Sequence, residues 1–297
     1  MKDGRTERRS AGRRTAVQGL AASLALGLGG RASWSETEAV VRREIMFDAW
    51  DGPALPVALA HPRTITAATP LLFVMHGVAR GARGYRDAWA AEAARWGAIV
   101  AAPKFSSPDF PKAEGYQLGD LGVNGARSHD AIEPLFDALK SALGLDAERY
   151  LLFGHSAGAQ FAHRFLFRRP AARVSAAVAA NAGWWLRPIP DIPYPYGLDG
   201  APYEPAHAAR AFARPLTVLL GAEDRRRDGS LRQTAQAEAQ GPHRVARGQA
   251  FFAAAKALAE AEGAPFAWRL AYAEGVGHSN RAIAPFAARI LLGDRAD

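Results

Sequence analysis

The chain has 297 residues, of which 49% are hydrophobic, enough to bury one large core and short enough to need no second domain. It has no cysteine, which excludes disulfides, thiolate metal sites, a cysteine nucleophile and an anchor on an acylated cysteine. The formal net charge of +8 invites a nucleic-acid or anionic-membrane partner, but residues 1–32 carry seven basic residues against two acidic ones, so +5 of the total lies there and only +3 in the rest.

Those first residues read as an export signal. They combine a basic start, the pair Arg13-Arg14, a soft apolar stretch from Ala16 to Gly30 and a small-residue site ending at Ala32. The segment resembles a twin-arginine signal, which implies a periplasmic or secreted mature protein beginning near residue 33. Its apolar run of about 15 residues is too short and too glycine-rich for a stable membrane-spanning helix.

Val40 to Trp50 and Leu55 to His61 read as an opening hairpin across Asp51-Gly52-Pro53. Leu71 to Met75 is a continuous apolar run between Pro70 and His76-Gly77, the pattern of a strand covered on both faces. A helix over 85–96, a strand over 98–102, a loop rich in Pro, Gly and Asp over 103–125 and a helix from about 128 to 143 follow. Tyr150 to Phe153 is the next apolar run, and Gln160 to Arg168 the helix after it.

Beyond lie strands over 174–180 and 216–220, a helix over 251–262, a strand over 266–272 and a closing helix over 282–292. Between the first two of these strands, Trp184 to Pro215 carries Pro188, Pro190, Pro193, Pro195, Pro202 and Pro205 with Tyr194, Tyr196 and Tyr203. It reads as an irregular cap lying over the strand ends where α/β proteins bind ligands. Strands alternating with helices predict an α/β fold with right-handed crossovers and a mostly parallel sheet. No basic helix or stacking-aromatic module stands out, so nucleic acid is not expected as a partner.

Between the run ending at Phe153 and the helix beginning near Gln160 stand Gly154-His155-Ser156-Ala157-Gly158. A serine at the apex of a sharp strand-to-helix turn needs small neighbours, and this spacing makes Ser156 a candidate nucleophile. A serine hydroxyl is a weak nucleophile until a base takes its proton, and the base needs an orienting partner. Both are expected at strand ends. One strand ends in Gly221-Ala222-Glu223-Asp224 and another in Gly275-Val276-Gly277-His278.

Asp224 is the expected acid, with Glu223 and Asp228 as rivals. His278 is the expected base, ahead of His155 and His163. For the developing oxyanion, Ala157 supplies one backbone N–H and the loop at His76-Gly77-Val78 the other, with Val78 preferred over Gly77.

The order Ser156, Asp224, His278 and the motifs Val74-Met75-His76-Gly77, Gly154 to Gly158, Gly221 to Asp224 and Gly277-His278 resemble the α/β-hydrolase superfamily, over roughly residues 40–292. Within it the layout resembles poly(3-hydroxybutyrate) depolymerase-like and feruloyl-esterase-like proteins, with which poly(aspartic acid) hydrolases are grouped. The resemblance implies a serine hydrolase of carboxylic esters, small or polymeric, working without metal or organic cofactor. Cleavage of amide bonds in an anionic polymer such as poly(aspartic acid) is the alternative. A non-catalytic binding protein on the same scaffold is disfavoured because no triad member is missing.

Substrate contacts are expected from His76, Trp184, Trp185, Tyr194 and Tyr196, whose rings either stack on an acyl or polymer chain or pack beneath the cap. Arg187 and the run Arg225-Arg226-Arg227 form either a cationic rim for carboxylate-bearing substrates or an ordinary solvated face.

Overall fold

The computed structural model describes residues 40–120, 122, 125–204 and 206–293. The expected export signal lies outside the described residues. Among the described residues eight strands make one sheet: β1 (Val40–Phe47), β2 (Leu55–Pro62), β3 (Leu71–Met75), β4 (Ile99–Pro103), β5 (Tyr150–His155), β6 (Val174–Ala180), β7 (Leu216–Gly221) and β8 (Arg269–Ala273). Their order across the sheet is β1-β2-β4-β3-β5-β6-β7-β8. The β1–β2 and β2–β4 pairs are antiparallel and all others parallel.

The helices are α1 (Ala82–Arg95), α2 (Lys112–Gly115), α3 (Ile132–Leu143), α4 (Ala157–Arg168), α5 (Ala206–Phe212), α6 (Ala235–Glu238), α7 (Arg244–Ala261) and α8 (Asn280–Leu292). Every residue of β3, β4, β5 and β7 is buried, which is why these strands read as unbroken apolar runs rather than alternating ones. Side chains of successive strand residues point to opposite faces. Accordingly Leu71, Phe73 and Met75 join one core with Phe136, Phe161, Phe165, Trp185 and Phe251, while Leu72 and Val74 join a second with Trp89, Ile283 and Leu291. The sheet is thus sandwiched between two helical layers, and each parallel strand delivers its C-terminal loop to the same edge.

Several boundaries differ from the sequence reading. The helix expected over 251–262 begins at Arg244, capped by the His243 side chain, which accepts the Ala246 N–H at 3.2 Å. A histidine cap and a first turn holding two arginines gave no apolar periodicity to read. The Pro-rich segment is not irregular throughout, since α5 forms once its prolines are passed. Finally, α4 starts at Ala157, directly after the candidate nucleophile.

Candidate active site

Ser156 sits at φ 58°, ψ −115°, a region that costs a non-glycine residue roughly 1–3 kcal/mol and persists only where the surroundings hold it. What holds it is close packing. A Cβ on Gly154 would lie 1.9 Å from the Gly158 carbonyl oxygen, and one on Gly158 would lie 2.0 Å from that of Met75, so only glycine fits at either position. The Ser156 N–H donates to Ala180 O of β6 at 2.9 Å. The turn is thereby clamped to the neighbouring strand, with Ser156 partly exposed.

The structure brings Ser156, His278 and Asp224 together. His278 Nε2 lies 3.2 Å from Ser156 Oγ, and His278 Nδ1 lies 2.6 Å from Asp224 Oδ2. With the proton on Nδ1 donated to the carboxylate, the Nε2 lone pair faces the serine hydroxyl, the tautomer that general-base chemistry needs. Asp224 is only 2% exposed. The rival Asp228 is exposed and bonds Ser230 instead; together with Arg244 this holds its carboxyl down at about 2. Glu223 is exposed as well.

Asn181, which the sequence did not single out, ties the two partner loops together. It is fully buried at φ 54°. Its Oδ1 accepts the Gly221 N–H at 2.7 Å, and its Nδ2 donates to Gly277 O at 3.2 Å. The loops bearing Asp224 and His278 are therefore set from one point.

On the other side of Ser156 runs the loop from His76 to Arg80. A Cβ on Gly77 would stand 3.7 Å from Ser156 Cβ and 2.6 Å from Tyr85 Oη, so the loop passes hard against the serine. Val78, the expected second N–H donor, is 65% exposed on this loop. The loop closes through Arg80 N–H donating to Gly77 O at 3.0 Å. The buried Arg80 guanidinium donates to Phe105 O, Phe110 O and Lys112 O at 2.8–3.0 Å and stacks on Tyr116. Tyr116 Oη in turn donates to His76 O at 2.8 Å.

Several side chains expected to touch substrate are instead spent within the fold. His76 is fully buried: Nδ1–H donates to Gly77 O at 3.1 Å and Nε2 accepts the Phe105 N–H at 3.1 Å. Burial pushes its pKa down to about 3. It braces the loop and has no edge left for a ligand. Trp185 is fully buried against Phe251 and His163. Trp184 meets the Arg164 and Arg232 guanidinium groups at 4.4 and 4.9 Å from its ring centre, and Tyr196 spends its hydroxyl on Thr234 and Arg232. Tyr194 remains half-buried with its hydroxyl 3.4 Å from both Asp120 oxygens. The cap rings pack beneath it because cation–π contact and burial satisfy them more fully than water does.

The passed-over histidines are also structural. His163 bonds Ala159 O and the Leu186 N–H from full burial. His155 Nδ1 is hydrogen-bonded to Tyr85 Oη at 3.0 Å, and its ring lies 4.7 Å from that of His278. Burial first, then His278 and Arg244, hold His155 far below the usual histidine range. On the rim, Arg225 and Arg226 are exposed, whereas Arg227 is spent on Glu238 at 2.8 Å. Glu223, Asp224, Arg226, Asp228, Gly277 and His278 line a hollow of about 430 Å³.

Among solved structures, the fold matches poly(aspartic acid) hydrolase-1 from Sphingomonas sp. KT-1 at TM-score 0.81 and 40% identity, covering 84% of this chain and 98% of that one. The chain belongs to the α/β-hydrolase superfamily. The hydrolase also matches LpqC, a poly(3-hydroxybutyrate) depolymerase from Bordetella parapertussis, at TM-score 0.78 and 33% identity over 86% of this chain and 91% of that one. The siderophore hydrolase EstB from Aspergillus nidulans shares the fold at TM-score 0.53 and 17% identity over 85% and 96% of the two chains. No protein-family model matches the chain, and no curated protein matches it in sequence. No helix among the described residues is long and apolar enough to cross a membrane.

Proposed function

We propose that this α/β-hydrolase is a serine hydrolase of carboxylic esters, exported before it acts. The observation that carries the reading is the unbroken relay from Ser156 Oγ to His278 Nε2 at 3.2 Å and from His278 Nδ1 to Asp224 Oδ2 at 2.6 Å. Ser156 Oγ attacks the ester carbonyl carbon as His278 Nε2 takes the hydroxyl proton. Asp224 keeps the imidazole oriented and balances the imidazolium. The Ala157 and Val78 N–H groups take the developing oxyanion, and His278 returns the proton to the departing alcohol. Water, activated by the same histidine, then releases the acid from Ser156. Export rests on the basic start, Arg13-Arg14 and the small-residue site near Ala32.

Ser156→Ala is expected to lower kcat on p-nitrophenyl esters by a factor on the order of 10⁶ and to abolish labelling by a fluorophosphonate. Turnover retained in that variant overturns the reading. A second reading, amide cleavage in an anionic polymer, is favoured by the 40% identity to a poly(aspartic acid) hydrolase and by the exposed Arg225 and Arg226 beside Asp224. It uses the same relay and differs only in what the rim attracts. Hydrolysis of short p-nitrophenyl esters, polyhydroxybutyrate and poly(aspartic acid) compared side by side separates the two: ester cleavage with poly(aspartic acid) untouched supports the first, and the converse supports the second.

A further inference from the structure

Arg244 is the only residue of the acid side of the site that touches the Asp224 carboxylate from outside the relay in the contacts described. It is 1% exposed. Its Nη1 lies 3.3 Å from Asp224 Oδ1, the oxygen that His278 does not use, and its Nη2 donates to Ser230 Oγ at 2.7 Å and reaches Asp228 Oδ1 at 3.4 Å. Its backbone opens α7, where the helix dipole disfavours a cation. Burial of an unpaired guanidinium is costly as well. Neither cost is offset by local helix formation. Both are met by the carboxylates that the guanidinium joins, one inside the relay and one exposed in the loop that follows Asp224.

We propose that Arg244 is a positioning residue, whose guanidinium grips Asp224 Oδ1 and thereby turns Oδ2 toward His278 Nδ1. The inference rests on the serine-hydrolase reading and deepens it. A carboxylate held by one partner alone rotates about its Cβ–Cγ bond and offers His278 either oxygen at varying angles. Held at Oδ1 by a group that is itself fixed by Ser230 and Asp228, it presents one oxygen in one direction. The same cation leaves Asp224 balanced at rest, when the imidazole is neutral, and close to a second positive group when the imidazolium forms. Arg244 therefore acts on the reaction only through Asp224 and His278 and touches no substrate.

The test uses the full chain. Arg244→Met removes the charge at similar length. The expected result is a fall in kcat on a p-nitrophenyl ester of about 10- to 100-fold with KM within about twofold, and a matching slowing of fluorophosphonate labelling at Ser156. The far-downfield proton signal of the His278–Asp224 bond should also broaden or disappear. Arg244→Lys, which restores the charge without the fork, recovers part of the rate. A folded Met variant with wild-type kcat and an unchanged downfield signal overturns the proposal, as does a loss confined to thermal stability.

If Arg244→Met does not fold, the exposed outer partners carry the test. Asp228→Asn combined with Ser230→Ala loosens the guanidinium, is expected to lower kcat several-fold at constant KM, and overturns the proposal if kcat is unchanged. Failure of the underlying reading looks different: wild-type protein that takes no label at Ser156, or Ser156→Ala that still turns over.

Discussion

Two walls flank Ser156, and each is pinned by a buried arginine. On the side of the His76–Arg80 loop, where the oxyanion donor is proposed, Arg80 spends its guanidinium on three neutral carbonyls, of Phe105, Phe110 and Lys112. On the acid side Arg244 faces two carboxylates and a hydroxyl. The first arrangement fixes a shape: it ties the His76–Arg80 turn to the segment that follows β4 and has no counter-charge among its bonded partners. The second fixes a charge distribution, since the groups it joins include the carboxylate that meets His278. An oxyanion hole needs donors that do not move, whereas an acid that orients a histidine needs its field balanced as well as its geometry set. The same side chain serves both because its fork fits planar acceptors of either kind.

The largest expected effect that separates the walls is on the acid side. Asp224→Asn keeps the size of the side chain but favours the wrong His278 tautomer, and kcat is expected to drop by a factor of about 10³ to 10⁴. Stopped turnover of a p-nitrophenyl ester measures it, and a drop below tenfold would show that another group orients His278. On the oxyanion side, Arg80→Met is expected to lower kcat by about 10- to 100-fold, because the loop carrying Val78 loses its anchor and one donor drifts from the oxyanion. Its signature is weakened inhibition by a transition-state analogue bearing an oxyanion, with substrate KM little changed. Equal losses in both would mean that Arg80 serves substrate binding rather than the hole.

The meeting of Ser156, Asp224 and His278 was legible although Asp224 and Ser156 lie 54 and 122 positions from His278, because each stands in its own glycine-marked motif at a strand end. The Gly154 to Gly158 spacing follows from backbone approaches as close as that between Gly158 and Met75 O, and strand ends carrying Asp224 and His278 can be counted along the chain. The two arginines were not legible. Arg80 acts on residues 25 to 32 positions away and Arg244 on one 20 positions away, and a sequence rich in arginine gives no local sign of which ones are buried. The start of α7 was hidden for a related reason. Arg244 and Arg247 are buried polar residues where an apolar face is expected, and Gly248 lies where a Cβ would stand 2.4 Å from Leu220. The cap aromatics misled in the opposite sense. A Pro- and Tyr-rich surface segment suggests stacking on a ligand, yet Trp184 and Tyr196 stack on Arg232 of their own chain.

The smallest expected effect tests whether the wall that holds no carboxylate is the one that yields to acid. His76 braces that wall, and burial, helped by the charge of Arg80, pushes its pKa down to about 3 from an ordinary 6.5. Above pH 6.5 the imidazole is neutral whether the chain is folded or not, and stability is unaffected. Below it the unfolded chain binds a proton that the folded one refuses, so stability falls as pH drops from 6.5 toward 3. At pH 5.5 the share of His76 is on the order of 1 kcal/mol. His129, His155 and His163 are likewise held low by burial and add to the slope, so the share of His76 is read as a difference between proteins. On the acid wall Asp228, held at about 2, stays ionised through this range and leaves Arg244 paired. Denaturant midpoints at pH 7.5 and 5.5 for the wild type and His76→Gln, whose amide can still accept the Phe105 N–H, should show a shallower loss in the variant; identical losses would place the acid-sensitive point elsewhere among the buried histidines.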